Sequence, residues 1–159
     1  MKEKILLLLS EIERADGRQA GLHERLERSW ERFLQEGDYS LLVETAFYLN
    51  QLYSGYERVL LETAEVFESS LDSMSWHKSL LERMRLDLEG IRPAFISEDT
   101  CRCLNELRAF RHFFRHAYDV DLEAEKIALV VKKASRLKEL WAADSAAFRA
   151  FLRRLAAKS

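Results

Sequence analysis

The chain has 159 residues, 48% hydrophobic and 33% charged, with one proline, five glycines and a formal net charge of −2. That profile excludes a disordered chain and a sheet-dominated fold, and predicts one soluble helix-rich domain over residues 1–159 with room for a respectable core. The charge is unevenly spread, because residues 1–75 hold 8 Lys/Arg against 15 Asp/Glu and residues 76–159 hold 17 against 12. A basic second half on a mildly acidic chain suits local contact with RNA, not a general nucleic-acid coat; ordinary helix surface charge is the plainer reading of the same numbers.

The run Ile5-Leu6-Leu7-Leu8-Leu9 is too short to span a membrane. With Glu3 before it, Glu11 and Glu13 behind it and no small-residue cleavage site, it reads as core helix, not as a targeting segment. Ile5, Leu8, Ile12, Ala15, Gln19, Leu22, Leu26, Trp30 and Phe33 step by threes and fours, which predicts one long helix over 2–36, bent if Asp16-Gly17 and Gly21 interrupt it. Gly37-Asp38 supplies a stop and a new cap. Leu42, Ala46, Leu49, Tyr53, Tyr56, Leu60, Ala64 and Phe67 repeat the period, so a second helix runs to about Ser69. Its short connection makes it the antiparallel neighbour of the first. Residues 70–75 read as a polar loop, and Ser75 as the cap of a shorter helix over 76–88.

Residues 90–96, with Pro93, form the clear break downstream. Ser97 can cap the next helix, with Glu98 and Asp99 in its first turn. Asp121 is placed to cap a last helix in which Ile127, Val130, Ala134, Leu137, Trp141, Phe148, Phe151 and Leu155 keep the period, with a possible interruption at Asp144-Ser145. The expected architecture is all-α: an up-down bundle of four long helices and one short one. Cys101 and Cys103 are two apart and point in different directions on a helix, so they read as reduced thiols of a cytoplasmic protein.

The stretch Arg111-His-Phe-Phe-Arg-His-Ala-Tyr-Asp119 concentrates the chemistry. Wound as a helix over 98–118, it places Cys103, Leu107, Phe110, Phe114 and Ala117 on an apolar stripe. Arg108, Arg111, Arg115 and Tyr118 form a second stripe, and His112, His116 and Asp119 a third. The ionisable side chains thus point away from the face to be buried.

The spacing Arg111-x4-His116-x-Tyr118 resembles the signature of HEPN domains in the form found in HepT-like toxins. Tyr53-Ser-Gly-Tyr56-Glu57 and Trp76-His77-Lys78-Ser79-Leu80-Leu81 extend the likeness over nearly the whole chain. Many members carry Asn directly after the arginine; here that residue is His112. The resemblance implies an all-helical, metal-independent endoribonuclease toxin that needs no cofactor. It also implies a minimal MntA-like nucleotidyltransferase antitoxin that adenylylates the motif tyrosine, Tyr118. RNA, with tRNA among the candidates, would be the substrate.

RNA carries its own nucleophile, the 2′-OH, so the protein need only move protons and stabilise charge. Imidazole can exchange protons at neutral pH, and guanidinium offers a fixed fork of donors to phosphate oxygens. Those properties give His116 the acid/base role and Arg111 the phosphate role, with Arg108, His112, Arg115 and Asp119 in support. On one straight helix Arg111 and His116 stand about 140° apart. Two copies of the helix across a twofold axis would bring both residue types into one cleft, so a homodimer or higher oligomer is expected, with Phe113 a candidate contact.

Zinc at His112, His116 and Asp119 is the competing use of the third stripe, but no glutamate stands between the histidines in the H-E-x-x-H arrangement and the arginines would repel a cation. His23 and His77 read as solvated or core-satisfied histidines, Trp76 as a structural anchor, and Tyr53 and Tyr56 as packing residues, with Tyr53 able to bond toward the site. A non-catalytic helical module that partners a nucleotidyltransferase is the alternative function.

Overall fold

The computed structural model describes residues 1–68, 76–117 and 121–159, and the side chains of all of these except 76–78. The polar loop over 70–75 and the Ser75 cap lie outside the described residues. So do the side chains of Trp76 and His77. Five helices follow in order: α1 (Lys2–Glu36), α2 (Tyr39–Phe67), α3 (Trp76–Met84), α4 (Glu98–Arg115) and α5 (Ala124–Lys158). Among the described residues the only β-type pairing is an isolated bridge between Leu88 and Arg92.

The four long helices form an all-α up-down bundle. α1 packs on α2 and α5, and α4 closes the ring against the same two. Ser29 meets Thr45 while His23 meets Tyr56, so α1 and α2 run antiparallel. Glu13 meets Arg153 while Glu27 meets Lys138, so α5 is also antiparallel to α1. The end of α1, the start of α2, the end of α4 and the start of α5 therefore share one end of the bundle. A hydrogen bond of 2.9 Å from the Leu122 N–H to the Tyr39 hydroxyl ties that end together.

The apolar period dictates what is buried. Ile5, Leu8, Ile12, Ala15 and Leu26 of α1 join Leu42, Ala46, Leu49, Leu60 and Ala64 of α2 in one core, completed by Ile127, Ala134, Leu137, Trp141 and Phe148 of α5. Asp16-Gly17 and Gly21 do not break α1, which is continuous over 35 residues. Asp16 instead faces α5, where it accepts from Trp141 Nε1 at 2.9 Å and Ser145 Oγ at 2.6 Å. Those same contacts explain why α5 runs through Asp144-Ser145 without the expected interruption: Ser145 is spent on α1, and Asp144 accepts from the Ser97 N–H and Thr100 Oγ1 at the start of α4.

Gly37 ends α1 at φ 67°, in the left-handed region that lacks a penalty only for glycine, and Asp38 caps α2 by accepting from the Ser40 N–H at 2.9 Å. Close helix approach is visible at Gly55, where an added Cβ would overlap the Gln19 amide that donates to the Leu52 carbonyl at 2.8 Å.

Several boundaries differ from expectation. α2 ends at Phe67, where Glu68 takes up extended backbone, and α3 ends at Met84, where the chain turns immediately afterwards. Buried Arg92 holds that turn, donating to the carbonyls of Arg83, Leu86 and Pro93 and to Glu68 Oε1. α5 begins at Ala124 rather than under an Asp121 cap, with Glu123 in the cap position and no side-chain cap bond. Cys101 and Cys103 are both buried and free.

Candidate functional site

α4 carries the motif and is fixed by a cap at its start and by its buried inner face. Ser97 caps it, its Oγ accepting from the Thr100 N–H at 3.2 Å, and Thr100, Cys101, Cys103, Leu104, Leu107 and Phe110 bury its inner face. The buried stripe is wider than periodicity alone suggested, because α4 is wedged between two helices. Phe114 is half-buried and stacks on Phe110, ring centroids 6.0 Å apart.

The helix does not continue to residue 118. It stops at Arg115, and His116 occupies the cap position at φ −114°, ψ 9°, its N–H bonded to the Phe113 carbonyl. Ala117 follows outside the helix, so it does not extend the apolar stripe as a helical residue. Tyr118 and Asp119, proposed for modification and support, lie outside the described residues.

The arginine stripe divides. Arg108 and Arg115 are exposed, whereas Arg111 folds inward between α4 and α2. Its Nη1 donates to Glu57 Oε1 at 3.3 Å, and its guanidinium carbon lies 5.7 Å from the centroid of the Tyr53 ring. Nε of Arg111 is buried with no hydrogen-bond partner. The aromatic face and the carboxylate hold the cation by a cation–π contact and an ion pair at once. Burial, reinforced by the neighbouring Glu57 carboxylate, pushes the Tyr53 hydroxyl above the usual phenol range, so it stays protonated. Arg111 is therefore not the free outward cation that the helical stripe implied. Tyr53 and Glu57, one turn apart on α2, set its direction, and Glu57 was visible only as part of the Tyr53–Glu57 segment.

His112 and His116 remain exposed and come together, ring centroids 4.7 Å apart at 56°. Among the described residues no hydrogen bond, ion pair or ring contact joins Arg111 to His116. Nor do any three His, Cys, Asp or Glu side chains among them cluster to hold a metal ion. On the opposite edge of α4, Ala109, Phe110, Phe113, Leu122, Ile127 and Val130 floor an apolar groove rimmed by Glu106, Asp121, Glu123 and Lys126, the last paired with Glu123 at 3.7 Å. Three carboxylates against one lysine make a net-acidic rim ill suited to phosphate, which separates this groove from the basic edge. Phe113, 41% exposed, stands at its lip.

The two remaining singled-out aromatic pairs are structural. His23 is buried, Nε2 within 2.7 Å of the Tyr56 hydroxyl and Nδ1 without a partner. Burial first, and the charge of Lys138 second, lower its pKa to about 4, so the ring is neutral at neutral pH. Tyr56 in turn packs on Trp141, centroids 4.5 Å apart.

A four-helix bundle ending in a basic, histidine-bearing helix terminus defines the class: an all-α protein of the HEPN type. The family profile described as "HepT-like protein" matches residues 44–152, from early α2 to near the end of α5, and the chain belongs to that family. No curated protein and no solved structure matches it. No helix among the described residues is long and apolar enough to cross a membrane.

Proposed function

We propose that this chain, acting as one domain over residues 1–159, is the toxin of a toxin–antitoxin pair and a metal-independent endoribonuclease. The observation that carries the reading is the preorganised Arg111, held over Tyr53 by Glu57 five residues before exposed His116, in the region matched to HepT-like proteins. A general base, His116 or its counterpart across a dimer axis, takes the proton of a 2′-OH. The 2′-oxygen forms its bond to phosphorus as the P–O5′ bond breaks, and a protonated imidazole returns a proton to the leaving 5′-oxygen. Arg111 stabilises the charge that develops on the phosphorane, and its fixed orientation is an advantage because no reorganisation is needed at the moment of reaction. The products are a 2′,3′-cyclic phosphate and a 5′-OH. Arg108 and Arg115 hold flanking phosphates, with His112 beside His116 and Asp119 in support; RNA, tRNA among the candidates, is the substrate.

The active unit is a homodimer or a higher oligomer, with α4 near the twofold axis and Phe113 in the contact. Neutralisation comes from an MntA-like nucleotidyltransferase that transfers AMP to the Tyr118 hydroxyl. The phosphodiester would pair with the motif arginines as substrate does, while the nucleoside blocks entry.

One observation favours the second reading, a non-catalytic module that positions a nucleotidyltransferase: Arg111 already has a carboxylate partner within the chain. Incubation of purified protein with total tRNA, with and without EDTA, separates the two. Cleavage that survives EDTA, leaves cyclic phosphate ends and vanishes in His116→Ala is the expected result. No cleavage by the unmodified chain would leave the binding module standing.

A further inference from the structure

A second basic surface lies on the half of the chain whose overall charge is acidic. Arg25, Arg28 and Arg32 stand at i, i+3 and i+7 on α1 and line, with Ser29, Glu44 and Tyr48, a groove between α1 and α2. All three arginines are exposed. Arg32 is tied to Glu36 at 3.0 Å, whereas Arg25 and Arg28 have no ion pair among the described residues. The intervening acids are turned elsewhere: Glu27 pairs with Lys138 of α5, and Glu31, one turn on, follows the same side of α1. Within the groove the one carboxylate, Glu44, is engaged by the Tyr48 hydroxyl at 3.1 Å. Over residues 25–32, α1 thus turns its arginines toward α2 while Glu27 faces α5.

Next to this groove α2 presents Phe47, 46% exposed, in edge contact with Tyr48 at 5.8 Å between centroids. The groove occupies the same end of the bundle as the motif. Along α2 the step from Tyr48 to Tyr53, which underlies Arg111, is roughly 7.5 Å of helix rise, and α2 itself, about 10–12 Å across, lies between the two clusters. Guanidinium groups in a groove beside an exposed aromatic face are the elements with which proteins hold single-stranded nucleic acid without reading its sequence.

We propose that the Arg25–Arg28–Arg32 groove binds backbone phosphates of the same RNA whose cleavage is assigned to the motif, with Phe47 offering a stacking face between the two sites. The proposal rests on the ribonuclease reading and extends it, making the substrate a strand long enough to cross α2 rather than a dinucleotide.

The test uses the full chain carrying His116→Ala, so that RNA is bound but not cut, and a fluorescent single-stranded RNA read by anisotropy across a salt titration. Removing two phosphate contacts from a single strand should flatten the slope of log K against log salt by about 1.4. Arg25→Ala/Arg28→Ala should show that loss together with roughly tenfold weaker binding at moderate salt, and Arg25→Lys/Arg28→Lys should recover most of it. Lys132→Ala/Lys133→Ala, an equal charge change on exposed α5, should leave the slope unaltered. Equal losses from the arginine and lysine pairs would overturn the site in favour of the general field. An arginine pair with unchanged RNA binding would overturn it while leaving the ribonuclease reading intact, as would a change in oligomer mass without a change in affinity. If the parent chain binds no RNA, both readings fall together.

Discussion

Glu57→Ala is the perturbation that most directly tests how the motif arginine is held. The ion pair it removes spans 3.3 Å, and its side chains are 24% exposed for Arg111 and 20% for Glu57. An exposed pair is worth about 0–1 kcal/mol, and breaking a fully buried one costs about 3–5. At this intermediate exposure, with Arg111 Nε already lacking a partner, the loss should be about 1–2 kcal/mol. In a chain of this size that lowers the melting temperature by about 3–6 °C. The larger effect is expected on catalysis. Without Glu57 the guanidinium keeps only the Tyr53 face, and a misplacement of about 1 Å in a reacting group can lower a rate on the order of a hundredfold. Single-turnover cleavage of a fluorogenic RNA, with thermal melts by circular dichroism, reads both quantities. Glu57→Ala should lower the cleavage rate constant at least tenfold with KM little changed, and Glu57→Gln, which keeps an oxygen acceptor, should recover part of it. Full-rate cleavage by Glu57→Ala alongside an inactive Arg111→Ala would refute the positioning role. A faster Glu57→Ala enzyme would show instead that the carboxylate withholds Arg111 from substrate.

Four further outcomes are expected. His116→Ala and Arg111→Ala should each abolish RNA cleavage and growth inhibition while the helical circular dichroism persists, and wild-type cleavage should survive EDTA; a strict metal requirement would sink the mechanism. Asp16→Ala strips partners from Trp141, Ser145 and Arg149 and should cost about 2–4 kcal/mol in chemical denaturation; a loss below about 1 would mean these groups find other partners. His23 binds its proton in the folded chain only near pH 4, below the ordinary 6.5, so the unfolded chain holds more protons between those values. Its contribution is complete above about pH 6.5 and is lost as pH falls toward 4, on the order of 3 kcal/mol in all, and stability profiles of wild type and His23→Gln should converge in slope outside that window. Tyr118→Phe should keep most cleavage activity yet escape neutralisation by a co-expressed nucleotidyltransferase; mass spectrometry finding AMP on another residue would refute the assignment.

The parts of this molecule that periodicity could read are those governed by burial. α1 and α2 were legible to within a residue or two because each apolar step lands on one face, and because Gly37-Asp38 is a stop and a cap in one dipeptide. The misjudged boundaries share a cause: polar residues whose partners are far away in sequence. Asp144 and Ser145 look like a break but serve α4 and α1, across 44 to 47 and 129 residues respectively. Asp121 looks like a cap, yet Glu123 and Glu125 follow closely, and nothing local distinguishes three carboxylates in five residues. The end of α4 carries no glycine or proline, so a helix through Tyr118 was the natural extrapolation; the chain turns at His116 nevertheless. At the site, the motif spacing singled out Arg111 and His116 as candidates, but the inward turn of Arg111 depends on a carboxylate 54 residues away.

α2 is the element that reconciles these observations, and its tyrosines show how. Four of the five tyrosines in the chain lie on it, and between them they reach α1, α4 and α5. Tyr39 accepts from the segment that leads into α5, Tyr48 floors the α1 arginine groove, Tyr53 lies under Arg111 of α4, and Tyr56 meets His23 of α1 and Trp141 of α5. Tyrosine suits these positions because an apolar ring can be buried while its hydroxyl reaches a polar partner at the margin. Tyr53 and Tyr56 differ by three residues, so they share the inner side of the helix, yet one belongs to the candidate site and the other to the core. A shift of α2 along its axis would therefore disturb core, motif arginine and basic groove together. That coupling explains why the bundle fixes α2 by so many specific contacts: the Asp38 cap at one end, Glu68 gripping Arg92 at the other, and the Gly55–Gln19 close approach between. With α2 held by those contacts, a single carboxylate on it can set the direction of an arginine on another helix.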